Sequence, residues 1–417
     1  MHRTEHKASQ ELAIQLDENL TSYRPGDTIN GGVIRKVHTV STRAWVTIKL
    51  HGRAKSEVTE HQSDGNGGTT TRHYYGCFNF FSLDETCQAL FNGSVHIPPG
   101  GDSQVWSFAL TIPTQPSPEA LKQGNTQSLS YLPLNDEAIA TTSLPSSFQS
   151  GGPKFYAFVE YYLEAEFRQE NHSRLATATL PIILRADSTP YPLTTFSLMS
   201  RTHPGSVRTQ CLIPGMEKKE LSFYQKTQKL IGSSKVPRFY FNVCVDSPAE
   251  IQMQNLMPIP FKIRIVTNRK LTSDIIVDVP QTIMLTSLTM ELKATTHAIC
   301  EGHSSPHCAS GTKEYKFAAK GTILGLCDPI AITSGSDAEP VDVGAVVGLS
   351  LDSRCTKSRG KPLHEFDILH PSFVTYNIKH SHELSWELTL EVAGEKTKIL
   401  GIEPVSILAA SEEKQVY

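Results

Sequence analysis

The sequence predicts an all-β protein built as two antiparallel β-sandwiches in tandem. Three observations carry that expectation. Apolar and polar residues alternate over long stretches, turn signals rich in Gly and Pro separate those stretches, and amphipathic helical periodicity is scarce.

The first element is the stretch Tyr23–Val33, YRPGDTINGGV. Gly26 and Gly31 have the G-x-x-x-x-G spacing of a phosphate-binding loop, but Gly32 and Val33 follow where that loop needs Lys and Ser/Thr. The stretch therefore reads as a Pro25-Gly26 turn that delivers residues 27–30 into a strand. Gly31-Gly32 then allow a bend or the close approach of another backbone.

From Trp45 to Lys55, Val46, Ile48, Leu50, Gly52 and Ala54 alternate with Thr47, Lys49, His51, Arg53 and Lys55. This is the period of a half-buried strand with a core side and a wet side. Gly65–Thr71 reads as a flexible hairpin tip. Short helical turns are expected at Ser117–Gln123 and Thr86–Phe91. Thr114–Gly152, rich in Ser, Thr, Gln and Pro, reads as a mobile insertion. From Phe155 to Arg168 the apolar set Phe155, Ala157, Val159, Tyr161, Leu163, Ala165 and Phe167 shares one face, with Glu160, Glu164, Glu166 and Arg168 on the other. Ala178–Leu184 is a terminal strand.

These elements define an N-terminal domain over 9–187, interrupted by the polar insertion 114–152, then a proline-bearing linker over 188–220 and a C-terminal domain over 221–410. Strands of the second domain are expected at Pro260–Val266, Thr282–Ile299, Glu314–Ile323, Phe373–His380 and Leu384–Val392.

Length and composition narrow the function classes. The chain has 417 residues, 39% hydrophobic and 19% charged, with a net charge of −3. That suits two or three domains and offers no global field for nucleic acid. The polar start MHRTEHKASQ lacks the apolar core of a signal peptide, and no run of about 18 apolar residues suggests a membrane span. The sequons at Asn19, Asn92 and Asn171 therefore carry little weight. Eight scattered cysteines read as reduced thiols of an intracellular chain.

Lys49, His51, Arg53 and Lys55 project from one strand face, a row suited to an acidic or phosphorylated peptide or an anionic lipid headgroup. Its ordinary alternative is a solvated strand face. Cys300, His303, His307 and Cys308 fall within one loop and form a candidate metal set. The adjacent His307-Cys308 and the constraint of Pro306 argue instead for a polar hairpin loop. No catalytic elbow, zincin or kinase signature is present, and the Glu160, Glu164, Glu166 row lacks a cleft, so neither an enzyme nor a cofactor is expected. Ser117-Pro118, Ser143–Ser150 and Thr202–Ser206 are candidate phosphate acceptors.

The ordered Tyr23, Pro25-Gly26, Gly31 and Val33, the strands Trp45–Lys55 and Gly152–Phe167, and the late Phe373–Ile378 and Leu384–Trp386 together resemble the arrestin family, in particular the α-arrestins of fungi. The resemblance implies arrestin-type sandwiches without catalytic residues. It implies a cytoplasmic adaptor, recruited to plasma membrane or endosomes, that binds cytoplasmic tails or loops of membrane transporters or receptors and supports endocytosis, protein transport and ubiquitin-linked sorting. Fungal members recruit a HECT-type ubiquitin ligase through Pro-Pro-x-Tyr. Here Pro98-Pro99 precedes Gly100-Gly101 and Pro190-Tyr191-Pro192 is a fragment, so ligase contact would run through another arrestin or not take place at all. The alternatives are a structural subunit of a retromer-like sorting coat and a glycan-active β-sandwich enzyme. The missing secretory signal and carboxylate cleft count against the last.

Overall fold

The computed structural model describes residues 2–18, 22–63, 68–170, 174–185, 188–216, 236–318, 330–332, 334–335, 338–365 and 367–412. Asn19, Asn171, residues 65–67 of the expected hairpin tip at 65–71 and the end of the expected linker lie outside them. The fold is all-β and antiparallel almost throughout. It divides into two compact units: 1–187 with 295–311 and 373–380, and 188–294 with 312–372 and 381–417.

The first unit holds β1 (Ala13–Leu16), β2 (Thr28–Arg35), β3 (Thr39–Ser63), β4 (Thr69–Asn79), β5 (Cys87–Ile97), β6 (Gln104–Thr111), β7 (Phe148–Gly152), β8 (Phe155–Gln169) and β9 (Ala176–Ile182). β1, β2 and β6 make a three-stranded sheet. The larger sheet runs β4-β3-β8-β7, with β5 on β3 and β9 on β8. Alternation explains the core between them. Val46, Ile48, Leu50 and Ala54 of β3 and Ala157, Val159, Tyr161, Leu163, Ala165 and Phe167 of β8 are buried together with Ile29, Val33 and Trp106.

The opening glycines behave as expected. Gly26 sits at φ 89 in the turn before β2, closed by the Asp27 N–H on the Arg24 carbonyl at 3.1 Å. Gly31 lies against β1, where a Cβ would stand 2.3 Å from the Gln15 carbonyl oxygen. Tyr23 is buried and bridges to Leu184.

Three sequence expectations need correction in this unit. Residues 114–152 are not a mobile excursion: they carry α2 (Pro118–Lys122) and α3 (Asp136–Ala140), following α1 (Leu83–Thr86). Their sparse apolar residues Leu121, Ile139, Leu144 and Phe148 all enter the core. The Tyr161 hydroxyl donates to the Pro145 carbonyl at 2.7 Å, so burial and backbone pairing compensate for the polar composition. The helical turn expected at 86–91 ends at Thr86, and Cys87–Phe91 is β5, paired to β3. Phe373–His380 is a tight hairpin rather than one strand, turning at Tyr376 and Asn377, both buried.

The second unit contains β10 (Leu198–Arg208), β11 (Arg238–Pro248), β12 (Glu250–Gln252), β13 (Lys262–Thr267), β14 (Ile283–Cys300), β15 (His307–Ala318), β16 (Ile330–Ile332), β17 (Val341–Asp342), α4 (Val343–Val347), β18 (Leu349–Leu351), β19 (Cys355–Ser358), β20 (Lys361–Glu365), β22 (Ile378–Val392) and β23 (Glu395–Leu408), apart from the ends of β14, β15 and β22 that fall in the first; the short β21 (Phe373–Val374) lies wholly in the first. Its main sheets run β10-β11-β13-β17 and β12-β23-β22-β14-β15. Leu384, Trp386, Leu388, Leu390 and Val392 face the core, as their alternation requires. The expected linker supplies a full strand here: β10 pairs with β11 from Leu198↔Pro248 to Arg208↔Arg238. Pro204 is tolerated because β10 is an edge strand with one side free of ladder donors. The strand expected at 314–323 is the end of β15, and residues 319–323 lie outside the described set.

Candidate peptide-binding face

The candidate cation row sits where β3 crosses β8. Register places Lys49 opposite Glu164, His51 opposite Tyr162 and Arg53 opposite Glu160. The side chains pair along a staggered ladder. Lys49 Nζ reaches Glu166 Oε1 at 2.9 Å, His51 Nε2 meets Glu164 Oε2 at 3.0 Å, and Arg53 Nε donates to Glu160 Oε1 at 2.8 Å. Diagonal neighbours across a sheet lie within reach of long side chains, so the row and its glutamates interlock.

This face is not the wet side expected from alternation. The cations are only about one-fifth exposed, and Glu160 is 2% exposed. Phe158 and Tyr162 of β8 are buried on the same side. His51 stacks on Tyr162 at 4.6 Å, and the Arg53 guanidinium lies 5.0 Å over the same ring. The hydrogen bond from His51 holds the Glu164 carboxyl below its ordinary range despite burial. Lys55 stands opposite Phe158 on β8 and Cys77 on β4. Burial, reinforced by Arg53, pushes its ammonium pKa down.

Segment 3–7 closes the Glu160 end of the ladder. The Thr4 N–H donates to Glu160 Oε2 at 2.7 Å, and Arg53 Nη2 donates to the Thr4 hydroxyl at 3.1 Å. Neither Thr4 nor the burial of Glu160 was legible in advance. The only signal was that β3 and β8 carry opposite charges at the same period.

The Cys/His loop lies between β14 and β15, and its donors turn elsewhere. Cys300 is buried with its thiol on Ser56 Oγ at 3.3 Å, and burial pushes its pKa up to about 11. His307 Nδ1 bonds Glu60 Oε1 at 2.7 Å and its ring stacks on Tyr74, while His303 and Cys308 are exposed. Neighbouring strand residues such as His307 and Cys308 point to opposite faces. Among the described residues no group of three or more His, Cys, Asp or Glu is placed to hold a metal ion.

Ser117 is buried, which removes it from the accessible phosphate acceptors. Asn92 lies on β5, where its side chain accepts from Arg43. No helix among the described residues is long and apolar enough to cross a membrane.

Residues 12–132 match the family model described as arrestin (or S-antigen), N-terminal domain. The match runs from the residue before β1 to the segment between α2 and α3, through Gly26, Gly31 and the cation row of β3. A search of curated proteins returns no match.

Proposed function

We propose that this chain, arrestin-like over residues 12–132, is a non-catalytic adaptor that binds cytoplasmic segments of membrane transporters or receptors. The observation that carries the reading is the family match falling on the β1-β2-β6 sheet and on the charged face of β3. The adaptor works from the cytoplasm, is drawn to plasma membrane or endosomes by its cargo, and supports endocytosis and ubiquitin-linked sorting. No Pro-Pro-x-Tyr stands in residues 1–417, so contact with a HECT-type ligase runs through a second arrestin-like protein or does not take place.

Cargo engages by strand addition at sheet edges, with side-chain selection on the neighbouring face. An acidic or phosphorylated segment, or an anionic lipid headgroup, reads Lys49, His51, Arg53 and Lys55 by taking the places of Glu164 and Glu166 in the ladder. Such exchange is favourable when the incoming group carries more negative charge than a carboxylate, as phosphate does. Lys49→Glu combined with Lys55→Glu then weakens capture of an acidic tail in a pull-down, and unchanged capture sinks that mode.

The wider test is proximity labelling in the native organism. Enrichment of plasma-membrane transporters supports the adaptor. Enrichment of coat subunits, with a stable stoichiometric complex on purification, supports a sorting-coat subunit instead.

A further inference from the structure

The edge of β9 that faces away from β8 is occupied by the chain itself. Lys7 pairs with Thr179 through reciprocal backbone hydrogen bonds, Lys7 N–H to the Thr179 carbonyl at 2.9 Å and Thr179 N–H to the Lys7 carbonyl at 3.0 Å. The Thr179 hydroxyl donates to the Glu5 carbonyl at 2.7 Å, and Lys7 Nζ donates to the Thr177 hydroxyl at 2.9 Å. Thr4 donates its N–H to Glu160, and its hydroxyl lies 3.2 Å from the other carboxylate oxygen. Arg3 reaches the Gln149 side chain of β7 at 3.1 Å.

Every one of these anchors is polar. The segment His2–Ala8, HRTEHKA, has no large apolar side chain, and residues 5–8 are exposed. Elements held without apolar burial open at the low end of a protein's stability range. What receives the segment, by contrast, belongs to the paired strands β3, β8 and β9. Glu160 is buried and held by Arg53 on the central strand pair, and Pro181 marks β9 as an edge strand. The receiving site therefore persists when the segment leaves.

We infer that the β9 edge beside Glu160 is a peptide-acceptor site, occupied in this chain by residues 3–7. A partner's extended segment of the same chemistry takes it over: a hydroxyl residue with a cationic side chain immediately before it and another three positions after it. The buried carboxylate selects a backbone N–H and hydroxyl at the central position, and the Thr177–Thr179 edge accepts the later lysine. The identity of the partner as cargo rests on the adaptor reading. The site itself does not. Its own segment acts as a competitor, so apparent affinity for a partner is reduced by the fraction of time the segment is away.

The test uses the full chain with Thr4→Pro and Lys7→Pro, which remove the N–H donors to Glu160 and Thr179. The probe is a fluorescein-labelled peptide of sequence HRTEHKAS read by anisotropy. The opened variant binds it at least about tenfold more tightly than the wild type, because the competitor is gone. Glu160→Gln in the opened background, or Glu in place of both cations of the peptide, abolishes that gain. Hydrogen exchange supplies the second measurement. In the wild type the Thr179 amide exchanges faster than the amides between β3 and β8, and in the opened variant faster still. Equal binding by wild type and opened variant, or Thr179 protection equal to that of β3–β8, overturns the inference. If the peptide binds and no cargo is captured, the adaptor reading fails alone; if cargo is captured and the peptide never binds, this site fails alone.

Discussion

Replacing Arg53 by Met leaves the buried Glu160 carboxylate, among the described residues, with only the Thr4 segment as a hydrogen-bond partner. Removing one member of a buried ion pair costs about 3–5 kcal/mol, because the remaining charge is desolvated without compensation. Arg53 is 21% exposed and Thr4 still donates, so the low end, about 3 kcal/mol, is the expected value. The Lys49–Glu166 pair is the internal control. Both of its partners are 20–25% exposed, and pairs of that kind contribute about 1 kcal/mol at most. In calorimetry, where about 1 kcal/mol moves a unit of this size by about 2–4 °C, Arg53→Met lowers the first transition by about 6–12 °C and Lys49→Met by no more than about 4 °C. Adding Glu160→Gln to Arg53→Met restores part of the loss, since a neutral amide no longer needs a cation. Raising salt to about 0.5 M weakens the Lys49 contribution and leaves that of Arg53 nearly unchanged. If Lys49→Met is as damaging as Arg53→Met, or the double variant is no better than Arg53→Met, the ladder is not organised around a buried carboxylate.

Other expectations follow from the same structure. Burial, with His370 adding to it, lowers the His382 pKa to about 4, while Ser372 Oγ holds its Nδ1 at 2.8 Å. A folded-state pKa below the unfolded value near 6.5 means its contribution is intact above pH 6.5 and lost as pH falls toward 4; by pH 5 the loss is about 2 kcal/mol, and urea titrations of wild type and His382→Gln differ in slope across that window. A truncation at residue 187 lacks Ala298, Tyr376 and Ile378 of the first core and the Asn377 amide that bonds Ser56 Oγ at 2.9 Å; it gives weak near-ultraviolet dichroism and rapid trypsin digestion, whereas a stable fragment refutes that dependence. Iodoacetamide followed by mass spectrometry modifies exposed Cys77, Cys87 and Cys308 in the folded protein, and Cys300, buried with a thiol pKa near 11, only in denaturant.

What could be read from residues alone was local. Period-2 alternation assigned the inner faces of β3, β8 and β22 residue by residue, because side-chain direction in a strand depends only on parity. Tyr23, Pro25-Gly26 and Gly31 announced a turn and a close backbone approach for the same reason: φ above zero and a missing Cβ are properties of single positions. The polar sides were misjudged. Whether Lys49 and Arg53 face water or Glu166 and Glu160 depends on which strand lies alongside and in what register, and that is decided by sheet closure across more than a hundred residues of chain. The same holds for 114–152, whose few apolar residues find the core, and for 295–311 and 373–380, which join a unit built mainly from the start of the chain. Only the tertiary structure decided these, since buried pairing is a property of two segments together and neither encodes its partner by itself.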